Sequence, residues 1–168
     1  GPYVDGFVIN VSSPNTPNLR ELQKDEDLAR IIKAVQVYSG DKPVLIKMSP
    51  DLEDMQIRSV VDTARHLGCA GIIATNTTTK RPEEEGVMLE TGGLSGKPLR
   101  SRSTKVIRLI ADHTNGEWPI IGVGGISNAD EAWEKIINGA SLIQIYSAMV
   151  FQGASVIKRI VNGLDKKL

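Results

Sequence analysis

The sequence contains few of the residues on which several common kinds of protein chemistry depend. Its single cysteine, Cys69, cannot form an internal disulfide, and its position between a predicted helix and strand indicates a buried thiol. No cluster of cysteine and histidine has the spacing of a zinc site. The two histidines, His66 and His113, fall in helical patterns, which argues against a Ser-His-Asp triad. We therefore expect neither a metal centre nor a histidine-based hydrolase.

Excess charge and long apolar runs are also missing. Lys and Arg together number 20, as do Asp and Glu, and no arginine-rich or aromatic-basic cluster breaks this balance. A nucleic-acid partner is therefore not expected. No run approaches the roughly 18 apolar residues that a membrane-spanning helix needs, and nothing resembles a signal peptide. The 168 residues, 40% of them hydrophobic, describe a globular domain with a real core.

Short apolar runs alternate with segments of helical periodicity along the whole chain. We predict strands at residues 6–9, 44–46, 71–74, 119–123 and 142–146, and helices at 25–38, 53–67, 103–114, from 127 onward and 154–164. The fourth helix is expected to start at a Ser127–Asp130 variant of the capping box. Its predicted buried residues are Ala129, Ala132, Trp133, Ile136 and Ile137. Such alternation implies a parallel sheet, either complete and doubly wound or part of a β/α barrel.

Polar residues follow each predicted strand, at the edge where parallel α/β proteins keep their chemistry. Asn10 to Thr16 follow the first strand, although Ser, Pro and Asn are also ordinary turn residues. Lys47 ends an apolar strand, where a cation needs a salt bridge, water or an anionic ligand. Asn76 and Thr77 suit a planar, imide-rich ligand, or simply cap a strand.

Two glycine-containing stretches invite comparison with nucleotide-binding motifs. Residues 91–98 have Thr91 and Pro98 where a P-loop needs Gly and Ser or Thr, and residues 122–127 have Ser127 where the dinucleotide motif needs its third glycine. A barrel offers a better interpretation, because its last strands often bind phosphate through backbone amides. Gly124–Gly125 and Tyr146–Ser147 end the last two predicted strands, although such glycines also make tight turns.

Six segments together strongly resemble dihydroorotate dehydrogenase. They are NVSSPNT (10–16), VLIKMSPD (44–51), ATNTT (74–78), ETGGLSGKPL (90–99), PIIGVGG (119–125) and GASLIQIYS (139–147). The resemblance implies an FMN-containing β/α (TIM) barrel, of which this chain would hold the last five βα units. It also implies the oxidation of dihydroorotate to orotate in pyrimidine biosynthesis.

The same resemblance implies roles for individual residues. Ser13 would be the catalytic base, and Thr16 would lie in the proton-relay path. A serine base, where other branches have cysteine, is similar to the membrane-associated branch that passes electrons to a quinone. The residues implied to hold the orotate ring are Asn10, Asn15, Asn76 and Thr77. Those implied to contact FMN are Asn10, Lys47, Thr75, Ser95, Gly96, Gly125, Tyr146 and Ser147, the last five at its ribityl phosphate.

The sequence departs from the family in its extent. We interpret residues 1–168 as the C-terminal portion of one barrel domain, without its first three strands or the N-terminal region that forms the quinone tunnel and membrane anchor. The isolated chain is therefore expected to be inactive. The complete enzyme would be at the mitochondrial inner membrane in a eukaryote or the cytoplasmic membrane in a bacterium. Rival interpretations are another FMN barrel acting on pyrimidines, such as a domain of dihydropyrimidine dehydrogenase, and a non-catalytic phosphate-binding scaffold.

Overall fold

A computed structural model describes residues 3–81 and 91–167, and within them strand and helix alternate as predicted. The strands are β1 (Phe7–Asn10), β2 (Val44–Met48), β3 (Gly71–Ala74), β4 (Ile120–Val123) and β5 (Leu142–Gln144). The α-helices are α1 (Asp25–Ser39), α2 (Asp54–His66), α3 (Arg100–His113), α4 (Ala129–Ile137), α5 (Ser147–Gln152) and α6 (Ser155–Asp165). Short 3₁₀ helices span Leu19–Gln23 and Lys97–Leu99.

The strands form one five-stranded parallel sheet in the order β1-β2-β3-β4-β5. This order distinguishes the two architectures that the sequence left open. A doubly wound sheet reverses its strand order at a switch point, whereas a β/α barrel adds each strand beside the last. The sheet is therefore an arc of a β/α barrel, and the carboxyl ends of its strands meet along one rim.

The two faces of the sheet have different surroundings. Ile9, Ile46 and Ile72 pair in register across β1 to β3 and are 6%, 1% and 0% exposed. They belong to the main hydrophobic core, which also contains buried side chains of α1, α2 and α3. Because successive side chains of a strand alternate between faces, the next register row, which contains Asn10 and Lys47, points to the opposite, concave face. Strand register thus puts Lys47 on the inside of the arc.

Element boundaries differ from prediction where polar and apolar residues mix. Lys47 does not end its strand, because it pairs with Ile73 and β2 continues to Met48. Conversely, β5 ends at Gln144. The short helix α5, which the sequence did not predict, follows within an apolar stretch that has no distinctive helical pattern.

The predicted start and buried face of α4 are both partly wrong. Its N-cap is Asn128, whose side chain accepts from the Glu131 backbone amide at 2.9 Å. Ser127 instead donates to the Glu131 carboxylate, from its amide at 2.7 Å and its hydroxyl at 2.6 Å. Of the predicted buried residues Ala132 is fully buried, but Ile137 is 58% exposed. The polar side chains of Glu131 and Lys135 are buried, because partners on α3 satisfy them.

Two further features bear on the sequence predictions. No helix within residues 3–81 and 91–167 is long and apolar enough to cross a membrane. In the long segment after β3, Thr78 and Leu94 form an isolated antiparallel bridge. Residues 82–90, which include Glu90 of the segment ETGGLSGKPL, lie outside the described residues.

Candidate functional site

A cavity of about 890 Å³ opens at the carboxyl ends of β2 to β5. Its volume lies within the roughly 300–1,000 Å³ typical of small-molecule and cofactor sites. Most residues that the sequence assigned to a ligand site line this cavity. They are Lys47, Thr75, Asn76, Thr77, Ser95, Gly96, Gly125, Tyr146 and Ser147. Residues from four strand ends and from the long segment after β3 therefore share one concave space.

One end of the cavity is built from glycine backbone and serine hydroxyls. Gly124 and Gly125 have φ angles of 119° and 69°, a region that side chains disfavour. A Cβ on Gly125 would lie 2.8 Å from the Arg100 backbone nitrogen. In the same cavity, the hydroxyls of Ser95 and Ser147 lie 2.8 Å apart. This end of the cavity thus combines two serine hydroxyls with a glycine turn that carries no side chain, a combination suited to a phosphate.

A buried lysine supports the glycine turn from behind. Lys135 is 0% exposed, and its Nζ donates to the Arg100 carbonyl at 2.8 Å and to the Ser103 hydroxyl at 2.6 Å. Ser103 lies 3.0 Å from the Gly124 carbonyl and donates toward it. Burial lowers the pKa of Lys135 to about 8, although the nearby carboxylates Glu134 and Glu131 oppose this shift.

Lys47 contributes a cation to the cavity wall. It is half-buried on the concave face, and burial lowers its pKa below the usual value. Within residues 3–81 and 91–167 it has neither an ion pair nor a hydrogen-bond partner. The salt bridge that the sequence left as an alternative is therefore not found in the described structure. A half-buried lysine without a protein partner suits a ligand that carries or gains negative charge.

Amide side chains join the rims of β1 and β3. The Asn76 Nδ2 donates to Asn10 Oδ1 at 3.1 Å and to Ser12 Oγ at 3.0 Å. Its Oδ1 accepts from the Thr77 backbone amide at 2.8 Å. These bonds fix the orientation of both amides. The planar polar groups beside the cavity are therefore held rigidly.

The remaining predicted residues lie outside the cavity wall as the described residues define it. They are Asn10, Ser13, Asn15 and Thr16. Ser13 is half-buried, and its hydroxyl accepts from the Asn15 backbone amide at 3.3 Å. Asn15 in turn accepts from the amide of Gly93, a cavity residue, at 3.2 Å. Thr16 is exposed, and its carbonyl accepts from the Leu19 amide at 3.3 Å.

Sequence reasoning missed the charged residues that support these loops. Arg20 and Asp51 form an ion pair at 2.8 Å among the loops that follow β1, β2 and β3. Lys135 contacts residues that support the glycine turn. Asp51 occurs in a segment that carried the family resemblance, but no local pattern assigns it a partner. The available signal is weak, because a charged residue beside an apolar run normally faces water.

Comparisons with known proteins agree with this arrangement. The family model described as "Dihydroorotate dehydrogenase" matches residues 1–168. A protein from Crocosphaera subtropica, named "Dihydroorotate dehydrogenase (quinone)", is 51% identical over 174 residues, which cover 98% of this chain and 46% of that protein. A protein of the same name from Halobacterium salinarum is 49% identical over 166 residues, which cover 98% of this chain and 47% of that protein. The chain thus spans about half the length of these curated relatives.

Solved structures named DHODH are also similar to this chain. The crystal structure of DHODH from Eimeria tenella in complex with ferulenol has a TM-score of 0.92 and 36% sequence identity, over 98% of this chain and 50% of that one. The ligand-free form from the same organism has a TM-score of 0.90 at 37% identity, over 96% of this chain and 50% of that one.

Proposed function

The chain belongs to the dihydroorotate dehydrogenase family, and we propose that it is the C-terminal portion of a quinone-dependent, FMN-containing dihydroorotate dehydrogenase. The reaction would oxidise dihydroorotate to orotate in the de novo synthesis of pyrimidines. The observation that carries this proposal is that Lys47, Asn76 and Ser147 line one shared cavity. Lys47 is the penultimate residue of β2, and Asn76 and Ser147 follow β3 and β5. Their chemistry suits a flavin phosphate and a pyrimidine.

The residues present fit FMN. Ser95, Ser147 and the backbone at Gly96 and Gly125 would hold its ribityl phosphate, with Tyr146 at the rim. Lys47 and Thr75 would contact the flavin ring. Bound FMN would supply the acceptor for the hydride that dihydroorotate loses. The charge of Lys47 would stabilise the negative charge that builds up near the flavin N1 and C2 carbonyl.

The amide cluster would hold the pyrimidine. Asn76 uses its Nδ2 and Oδ1 on protein partners, and Asn10 Oδ1 accepts from Asn76 and from the Ser12 hydroxyl. The Nδ2 of Asn10 has no partner within residues 3–81 and 91–167, so it is available to donate to a ring carbonyl. Asn15 and Thr77 would complete the contacts to orotate.

Ser13 would remove the C5 proton of dihydroorotate while the C6 hydrogen leaves with its electron pair, so the ring loses two hydrogens and gains a double bond. Serine is a weak base near neutral pH, and this step needs support. The Asn15 amide, which donates to Ser13 Oγ at 3.3 Å, stabilises negative charge on that oxygen. Thr16 would pass the proton onward to solvent.

We also propose that the complete protein meets its quinone at a membrane, through a region outside this chain. Supporting this, the curated relatives carry "quinone" in their names and are about twice as long. The membrane would be the mitochondrial inner membrane in a eukaryote or the cytoplasmic membrane in a bacterium. The chain alone would then be inactive.

A direct test is dihydroorotate-dependent quinone reduction by the full-length protein, together with its FMN content. We expect about one FMN per chain and quinone reduction that requires dihydroorotate. FMN binding with turnover of a different pyrimidine would support the other FMN-barrel interpretation. Absence of FMN would support a non-catalytic scaffold, and either result would refute the proposal.

A further inference from the structure

Arg20 reaches three loops of the rim at once. This side chain, from the 3₁₀ helix Leu19–Gln23, donates through Nε to the Ser12 carbonyl at 3.2 Å and through Nη2 to the Thr77 carbonyl at 2.9 Å. Its Nη1 donates to the Asp51 carboxylate at 2.8 Å. The three acceptors follow β1, β3 and β2 respectively. Because the guanidinium is rigid and planar, these bonds fix the relative positions of the three loops.

Asp51 completes the connection from the loop after β2. Its carboxylate accepts from the Thr78 hydroxyl, from the Thr79 backbone amide at 2.8 Å and from the Thr79 hydroxyl at 3.1 Å. Burial raises the pKa of Asp51, but these bonds and the one from Arg20 outweigh burial and leave the pKa below its usual value. Asp51 is therefore ionised near neutral pH and binds the segment after β3 firmly.

Neither residue reaches the cavity itself. The cavity wall, as far as the described residues form it, includes neither Arg20 nor Asp51. Both side chains are shielded, at 23% and 12% exposure, which strengthens a charge-assisted contact relative to an open surface pair. The backbone groups that Arg20 binds are close to the proposed site residues, because Ser12 precedes Ser13 and Thr77 lines the cavity.

We propose that Arg20 and Asp51 are positioning residues that set the separation between the Ser13 loop and the Asn76–Thr77 loop, and that turnover depends on this separation. The inference rests on the proposed function, because those loops would carry the base and the pyrimidine contacts. A displacement of about 1 Å between reacting groups can cost about 100-fold in rate. A pair that spans both loops is placed to prevent such a displacement.

The local fold should survive changes at Arg20. Gln23, in the same 3₁₀ helix, is 5% exposed and accepts from the Ser49 backbone amide at 3.1 Å. This second contact keeps the 3₁₀ helix attached to the loop after β2. Arg20→Lys retains the positive charge but removes the planar fork, and Asp51→Asn removes the negative charge with little change in volume.

The experiment uses full-length, FMN-loaded protein carrying Arg20→Lys, Asp51→Asn or both. The control is Arg108→Lys, since Arg108 pairs with Asp112 on the exposed face of α3. Three quantities are measured: flavin reduction by saturating dihydroorotate, orotate affinity, and amide hydrogen exchange in residues 10–16 and 75–79. We expect flavin reduction to slow ~10-fold or more and both segments to exchange faster. FMN content should not change, and the double variant should lose little more than either single variant, since the residues act as one unit.

Other outcomes separate this inference from the proposed function. Wild-type reduction rates and exchange in Arg20→Lys would overturn the positioning role. A lower melting temperature alone, with reduction rate and orotate affinity unchanged, would show a merely structural ion pair and also overturn it. If the wild type fails to reduce its flavin with dihydroorotate, the proposed function fails, and with it the dependence of turnover on the pair.

Discussion

The side-chain amide of Asn76 donates to that of Asn10 across 3.1 Å, joining the carboxyl ends of two strands that are separated by β2. The contact links residues 66 positions apart in the chain. It uses Asn10 Oδ1 as an acceptor and so presents the Asn10 Nδ2 as a donor. One hydrogen bond thus determines which polar groups the rim offers to a planar ligand.

Replacing Asn76 with alanine should weaken orotate binding. The change removes the donor to Asn10 and Ser12 and the acceptor of the Thr77 amide. Asn10 is exposed, but Ser12 is fully buried. A buried polar group that loses a partner costs about 1–3 kcal/mol, and Asn10 loses the bond that orients its amide, so we expect the orotate Kd of the full-length protein to rise ~10-fold or more. Titration of the flavin absorbance with orotate measures it.

Asn138→Ala is the matched control for this prediction. Asn138 donates to the Glu134 carbonyl at 2.7 Å, at the end of α4 away from the amide cluster. The control should bind orotate as the wild type does. An unchanged orotate Kd in Asn76→Ala would show that the amide cluster does not bind the substrate.

Replacing Lys47 with methionine should make the bound flavin harder to reduce. The half-buried cation stabilises negative charge in the cavity, and methionine retains a similar shape without charge. We expect the two-electron midpoint potential to fall by about 30 mV or more, since about 30 mV corresponds to about 1.4 kcal/mol for such a couple. Spectroelectrochemical titration measures this, with the exposed Lys33→Met of α1 as control. A potential equal to the wild type would place Lys47 away from the flavin.

Lys135 should make the free energy of unfolding increase as pH rises through the alkaline range. Its folded-state pKa of about 8 lies below the ordinary 10.5, so the unfolded chain binds more protons between these values. The contribution of Lys135 to the unfolding free energy therefore rises with pH in this interval, by at most about 1.4 kcal/mol per pH unit. Urea unfolding of wild type and Lys135→Met over this range measures the difference.

The exposed Lys158→Met of α6 provides the comparison for Lys135. As pH rises, the free energy of unfolding of the wild type should increase relative to that of Lys135→Met. The difference in unfolding free energy between the wild type and Lys158→Met should stay constant. If the difference in unfolding free energy between the wild type and Lys135→Met did not change with pH, the Lys135 ammonium would be as well solvated in the fold as in the unfolded chain.

The strands and the location of the site follow from local features of the sequence. The apolar run predicted as a strand at residues 44–46 lies within β2, and β3 has the predicted bounds. Parallel strands bring their carboxyl ends together, so Lys47, Asn76 and Ser147 could be expected to meet once the strands were recognised. The choice of barrel over doubly wound sheet came from the family resemblance, since strand order has no local signal.

Residues whose role depends on long-range partners could not be predicted. Arg20 contacts Asp51 and Thr77, 31 and 57 positions away, and buried Lys135 bonds to Ser103, 32 positions away. An amphipathic pattern assigns such charges to solvent. The N-cap of α4 was misplaced by one residue because Ser127 and Asn128 are both good capping residues.

Flavin reduction by dihydroorotate in Ser13→Ala tests the central claim most directly. In anaerobic stopped flow, the full-length wild type should reduce its bound flavin on mixing. Ser13→Ala should do so slower by orders of magnitude, because the C5 proton loses its acceptor, with FMN content unchanged. Ser59→Ala, which alters an α2 hydroxyl that donates to Asp25 at 2.6 Å, should behave as the wild type. Equal rates in Ser13→Ala and wild type, or no reduction in the wild type, would contradict the account.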